Sequence, residues 1–143
     1  MIDPPAIPFA RQRLICLLLL LGVGAYAAVT AFVLQSNEWR GLEPPTGAAL
    51  ADLAWPLCAG IVAGAVVMRG TLRRAAQAAP PEQRSMREFT AMLTPVAMLE
   101  GGCLLGITTW LLSGRAMPGL AAAGVMFAVA VLLIPFADPG EAS

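Results

Sequence analysis

An all-α integral membrane bundle of four transmembrane helices is the fold class this sequence predicts, and three observations predict it. Of the 143 residues, 58% are hydrophobic and 13% charged, with a mean hydropathy of +0.74; too little polar surface remains to cover a water-soluble domain. Four apolar stretches each approach the roughly 20 residues that cross a bilayer as a helix: Leu14 to Leu34, Gly47 to Met68, Ala91 to Leu112 and Pro118 to Phe136. The arginines fall into two unequal groups that alternate along the chain, as the loops of a multi-pass protein do. Residues 1–143 therefore read as one membrane domain, with no length left for a soluble one.

The Pro-rich start, Met1 to Phe9, is expected to lie along the inner surface without regular structure. Span one follows Arg11 and Arg13. Its Leu14 to Leu21 run and the Ala25-Tyr26-Ala27 triplet imitate the apolar region and cleavage site of a signal peptide. The apolar run continues through Val29, Phe32, Val33 and Leu34, so retention as a membrane helix is expected. Span two places Asp52, Pro56, Gly60 and Gly64 on one stripe at i+4 spacing. Asp52, near the outer end, suits the positive pole of a helix N-terminus, and Pro56 is expected to kink the helix.

Beyond Met68 the helix can continue through Thr71 to Ala79, until Pro80 and Pro81 break it. Pro81 followed by Glu82 then opens the next helix, with proline at the first helical position and an acid in the first turn. Segment 69–90 is thus a helical hairpin with a basic tip, carrying Arg69, Arg73, Arg74, Arg84 and Arg87 against Glu82 and Glu88. Lipid headgroups or an acidic partner are what such a hairpin would meet. Span four, almost purely Ala, Val, Leu and Met, is expected to face lipid most.

Orientation follows from the arginines, which are retained on the cytoplasmic side. Arg11, Arg13 and the five hairpin arginines share one side, and only Arg40 and Arg115 fall on the other. Trp39, Trp55 and Trp110 map to the outer boundary, where indoles favour the headgroup layer. Both termini are therefore expected in the cytoplasm. The chain has nine basic residues, all arginine, and is rich in Ala, Gly and Pro. That composition points to a GC-rich bacterial genome and hence to a bacterial cytoplasmic (inner) membrane.

Glu100 lies near the middle of span three, with no Lys, Arg or His close enough in sequence to pair with it. A carboxylate at that depth costs about 3 kcal/mol on insertion scales. It is expected to be protonated and hydrogen-bonded to the Tyr26 hydroxyl or a backbone carbonyl, because depth counting brings Tyr26, Cys58 and Cys103 near the same level. Two roles fit, a structural contact between helices or a proton carrier.

Cys16, Cys58 and Cys103 all fall inside spans, as buried thiols rather than disulfides. No histidine and no ligand-spaced pair is present, so neither a metal nor a cofactor is expected. Close helix packing is expected at Gly60 and Gly64 and at Gly102 and Gly106, with Gly24, Ala28, Gly124 and Ala128 as further small pairs. At 100° per residue Gly102 and Gly106 lie about 200° and 240° from Glu100. Span three must then be enclosed on two sides, either centrally in its own bundle or against another subunit.

The segment from Gly47 to Leu112 has small residues in its first helix and a loop containing Arg74, Gln77, Pro80 and Pro81. Its mid-membrane carboxylate follows about 19 residues beyond Pro81. In these features it resembles the proteolipid c subunit of rotary ATPases. The resemblance implies an oligomer in which Glu100 carries the ion and Arg74 to Pro81 forms the cytoplasmic loop. The chain is also similar to four-helix bacterial membrane proteins that bear a carboxylate in their third span.

An enzyme is not expected, because the chain lacks histidine, a serine nucleophile motif, a phosphate-binding loop and a metal constellation. Its neutral net charge gives no patch suited to nucleic acid. Two classes of function remain. One is a non-catalytic subunit that associates with itself or joins a larger membrane complex. The other is an ion-translocating oligomer that uses Glu100.

Overall fold

Prolines and glycines set where the helices begin and end. The structure, a computed structural model, describes residues 9–134. The Pro-rich start up to residue 8 and the last two residues of the expected fourth span lie outside the described residues. Within them run α1 (Phe9–Ser36), α2 (Pro44–Gln77), α3 (Pro81–Ser113) and α4 (Gly119–Leu133). Prolines open α2 and α3, where a missing N–H costs nothing. Glu82 stands in the first turn of α3, beside the positive pole of that helix. Gly114 closes α3 in the left-handed region at φ 71°, and its N–H donates to the Trp110 carbonyl at 2.8 Å.

The hairpin break falls where the prolines predict, with α2 ending at Gln77 and α3 starting at Pro81. Asp52 is a correction. Because α2 begins at Pro44, its first turn holds no acid, and Asp52 lies about two turns in, exposed. It therefore caps nothing.

Three of the helices, α1, α2 and α3, are long and apolar enough to cross a membrane. The described part of α4 is shorter, at 15 residues, or about 22 Å of helix. Helix α3 packs against each of the others, α2 also touches α4, and α1 has no comparable interface with α2 or α4. The apolar stretch of α3 is 44% buried, against 22% for α1 and 17% for α2. Of the two ways span three could be enclosed, within its own bundle or against another subunit, the Gly102 and Gly106 face is covered within the chain, while Ala97 and Gly101 beside Glu100 stay exposed.

The prediction that the fourth helix is the most lipid-exposed fails. Small residues let α4 nest closely, burying Gly119, Ala122, Ala123, Met126 and Ala130. It is α1 that turns Leu14, Leu18, Leu21, Val29 and Phe32 outward. Hydropathy reports polarity, whereas burial also depends on how closely two backbones can approach.

At the far end from the hairpin, the loop between α1 and α2 is laced onto the end of α3. The Leu42 and Glu43 amides donate to the Leu111 and Leu112 carbonyls, both at 3.1 Å. Two carbonyls that the end of α3 would otherwise leave unpaired are thereby satisfied. Glycine is required at three contacts here. A Cβ on Gly41 would collide with the Leu112 carbonyl, one on Gly47 with the Ser113 backbone, and one on Gly114 with the Gly41 amide. This junction fixes how far α1 and α3 are shifted along one another.

Candidate functional site

Glu100 occupies the middle of the apolar part of α3, half-buried. On the helix, Thr108, which touches α1, lies about 80° to one side of it, and Cys103, which touches α4, about 60° to the other. Glu100 therefore lies on the sector of α3 between these two contacts. Ala97 and Gly101 beside it are exposed, and a Cβ at Gly101 would meet nothing within 4 Å. The side of α3 that carries Ala97 and Gly101 is therefore uncovered at this level. Among the described residues, Glu100 makes no hydrogen bond or ion pair.

The expected Tyr26 contact is not formed. The Tyr26 hydroxyl lies 3.1 Å from Thr108 Oγ1. Thr108 already donates to the Leu104 carbonyl at 2.8 Å, so Tyr26 is the donor of the pair. Thr108 is two turns beyond Glu100, about 12 Å along the axis. The error is one of register: counting from span centres puts Tyr26 level with Glu100, but the laced α1–α2 loop sets α1 differently against α3. Tyr26→Phe and Thr108→Val are each expected to lower stability by under about 1 kcal/mol. Thermal unfolding of the detergent-solubilised chain checks this.

The Cys58 and Cys103 thiols hydrogen-bond α4, while Cys103 stays beside Glu100, one turn along α3. Cys58 Sγ donates to the Ala122 carbonyl at 3.7 Å and Cys103 Sγ to the Ala123 carbonyl at 3.4 Å. These two weak contacts tie α2 and α3 to neighbouring carbonyls of α4. All three cysteines are buried and free. Among the described residues, no three His, Cys, Asp or Glu side chains gather where they could hold a metal ion.

The four packing glycines divide sharply. A Cβ on Gly106 would stand 2.7 Å from the Gly119 carbonyl oxygen and 3.0 Å from the Ala123 Cβ. One on Gly102 would stand 2.5 Å from Met126 Sδ and 3.1 Å from Ile61. These two glycines form the seat of α4. Gly64 meets only the flexible end of Met98, and Gly60 is exposed with nothing within 4 Å. Gly60 therefore makes no close contact among the described residues, and the buried side of α2 is formed instead by Ala54, Cys58 and Ala65. Gly24 and Gly124 are likewise open.

In the hairpin, Arg84 pairs with Glu88 at 3.6 Å and donates to the Gln77 carbonyl at 3.4 Å. Arg87 donates to Gln83 Oε1 at 3.0 Å. Arg73 and Arg74 are exposed and Arg69 half-buried.

Sequence reasoning missed Thr108, Gly119 and Thr30. Thr30 is buried, and its hydroxyl has no hydrogen-bond partner among the described residues. A threonine inside an apolar helix was the available signal, because such hydroxyls either bond back to the preceding turn or reach a neighbouring helix. Comparison with protein-family models, curated proteins and solved structures finds no match to this chain.

Proposed function

We propose that this chain is a small non-catalytic integral membrane protein of the bacterial cytoplasmic membrane, with both ends in the cytoplasm. It works as an assembly subunit of a homo-oligomer or of a larger membrane complex. One observation carries the proposal: Glu100 lies at mid-helix beside an uncovered side of α3, with no hydrogen-bond or ion-pair partner among the described residues. Left ionised in lipid it would cost about 3 kcal/mol. Protonation removes the charge but leaves a hydroxyl donor and a carbonyl acceptor unsatisfied, which is also costly in hydrocarbon. A neighbouring subunit seated on this uncovered side of α3 satisfies both.

The test is the native mass of the protein extracted in mild detergent from its own membrane, with any co-purifying chains identified. Several copies, or a fixed ratio to other proteins, supports the proposal; a bare monomer overturns it.

A second reading has its own support. Ala97 and Gly101 leave the Glu100 carboxyl reachable from the side of the bundle, as an ion carrier passing between subunits requires. Here the chain is a proton- or ion-translocating oligomer. Glu100→Gln would then keep the subunit count while abolishing proton flux in vesicles; unchanged flux excludes it.

A further inference from the structure

The five arginines of the α2–α3 hairpin are not equivalent. Arg84 is engaged within the protein, by Glu88 and the Gln77 carbonyl, and Arg87 is held by Gln83. Arg69, Arg73 and Arg74, on the last turns of α2, have no hydrogen-bond or ion-pair partner among the described residues. Between Asp52 and Glu82 the sequence contains no acidic residue to neutralise them.

Their placement decides what they meet, and it rests on the membrane reading above. Arg69 directly follows Met68, where the apolar run ends, and Arg74 lies about 8 Å further along the helix axis. The headgroup layer beyond the hydrocarbon is about 6 Å deep on each side. Arginine side chains also reach several ångströms along the surface. All three guanidiniums therefore lie at the level of the lipid phosphates. Of the two arginines equally near the hairpin tip, Arg74 and Arg84, Arg84 is already paired with Glu88 and the Gln77 carbonyl, so the tip has less free charge to offer an acidic protein.

We infer that the inner end of α2 is a binding site for anionic phospholipid headgroups, held by Arg69, Arg73 and Arg74, while Arg84 holds the hairpin together. Arg69 and Arg73 are one turn apart on the same face and can grip one phosphate between them, each guanidinium offering paired donors to its oxygens. Arg74 points about 100° away from Arg73 and meets a second headgroup.

The experiment uses the full chain in mild detergent, titrated with phosphatidylglycerol, phosphatidylcholine or inorganic phosphate, and read by native mass spectrometry and thermal unfolding. Phosphatidylglycerol is expected to stay bound and raise the unfolding midpoint, with the other two inert. Each arginine lost is expected to weaken binding about fivefold, so Arg69→Gln, Arg73→Gln and Arg74→Gln combined weaken it about a hundredfold. Arg84→Gln removes the same charge from the same hairpin and leaves lipid affinity unchanged. Should the triple variant not fold, Arg73→Gln alone reads the single step.

Equal response to both lipids overturns the site, as does equal binding of inorganic phosphate or an equal loss in Arg84→Gln. Flotation of the wild-type chain with vesicles reads the membrane placement separately. A chain that floats yet shows no preference for phosphatidylglycerol overturns the lipid site alone.

Discussion

Replacing Gly106 with valine is expected to detach α4 from the bundle. The new Cβ would lie 2.7 Å from the Gly119 carbonyl oxygen and 3.0 Å from the Ala123 Cβ. Backbone atoms of a packed helix cannot step aside as a side-chain end can, so α4 as a whole must move. Overpacking of this kind costs about 1–3 kcal/mol when side chains absorb it; with backbone in the way, a loss of about 3 kcal/mol or more is expected. The movement has its own signature. Cys58 and Cys103 are buried and donate to the Ala122 and Ala123 carbonyls, so a displaced α4 uncovers both thiols to maleimide. Gly60→Val and Gly124→Val make the same chemical change where a Cβ would meet nothing within 4 Å. Both should fold and keep their thiols protected. Maleimide labelling at matched temperature across the three variants checks the prediction, and protection retained in Gly106→Val would show that α4 is not seated on this glycine.

The contrast between Gly106 and Gly60 also shows what could be read from the sequence. Both belong to Gly-xxx-Gly pairs, and the pattern alone treats them alike. Gly102 and Gly106 were distinguishable by angle, since they lie opposite Glu100 and so had to face something other than the site that Glu100 faces. Gly60 offered no such second constraint. Helix existence and the proline break between Gln77 and Pro81 were legible because they depend on local chemistry: apolar length, a missing N–H, an acid in a first turn.

The axial shift between α1 and α3 was not legible. It is set by the Leu42 and Glu43 amides on the Leu111 and Leu112 carbonyls and by glycines that allow that approach. No periodicity within a helix encodes such a contact. The same gap explains the candidate site. Glu100 itself stood out as a charge in an apolar run, but its partner was assigned by depth, and depth depends on the shift. With α1 in its observed register, Tyr26 bonds Thr108 and the carboxyl is left without a hydrogen-bond partner among the described residues.

Replacing Glu100 with leucine is expected to have opposite effects on the chain and on its assembly, which makes it the most informative single change. For the isolated chain, the substitution removes a group that costs about 3 kcal/mol in hydrocarbon when charged. Leucine matches glutamate in helix propensity and is apolar at a half-buried position. Insertion and thermal stability of the monomer in detergent should therefore hold or rise. If a neighbouring subunit satisfies the carboxyl, the same change removes both the donor and the acceptor of that contact and leaves the neighbour's own polar group unpaired. Loss of one member of such a pair costs about 1–3 kcal/mol, a five- to 150-fold weakening of association at RT near 0.6 kcal/mol. The assembled species should then disappear from the native mass profile while the monomer remains folded. Glu100→Gln should keep assembly, since an amide still donates and accepts at that point. A residue that only held the chain's own helices together would behave differently: leucine would lower monomer stability and assembly together, because both would depend on the same internal contact. Monomer stability and subunit count, measured side by side for the Leu and Gln variants, separate these outcomes by sign rather than by size.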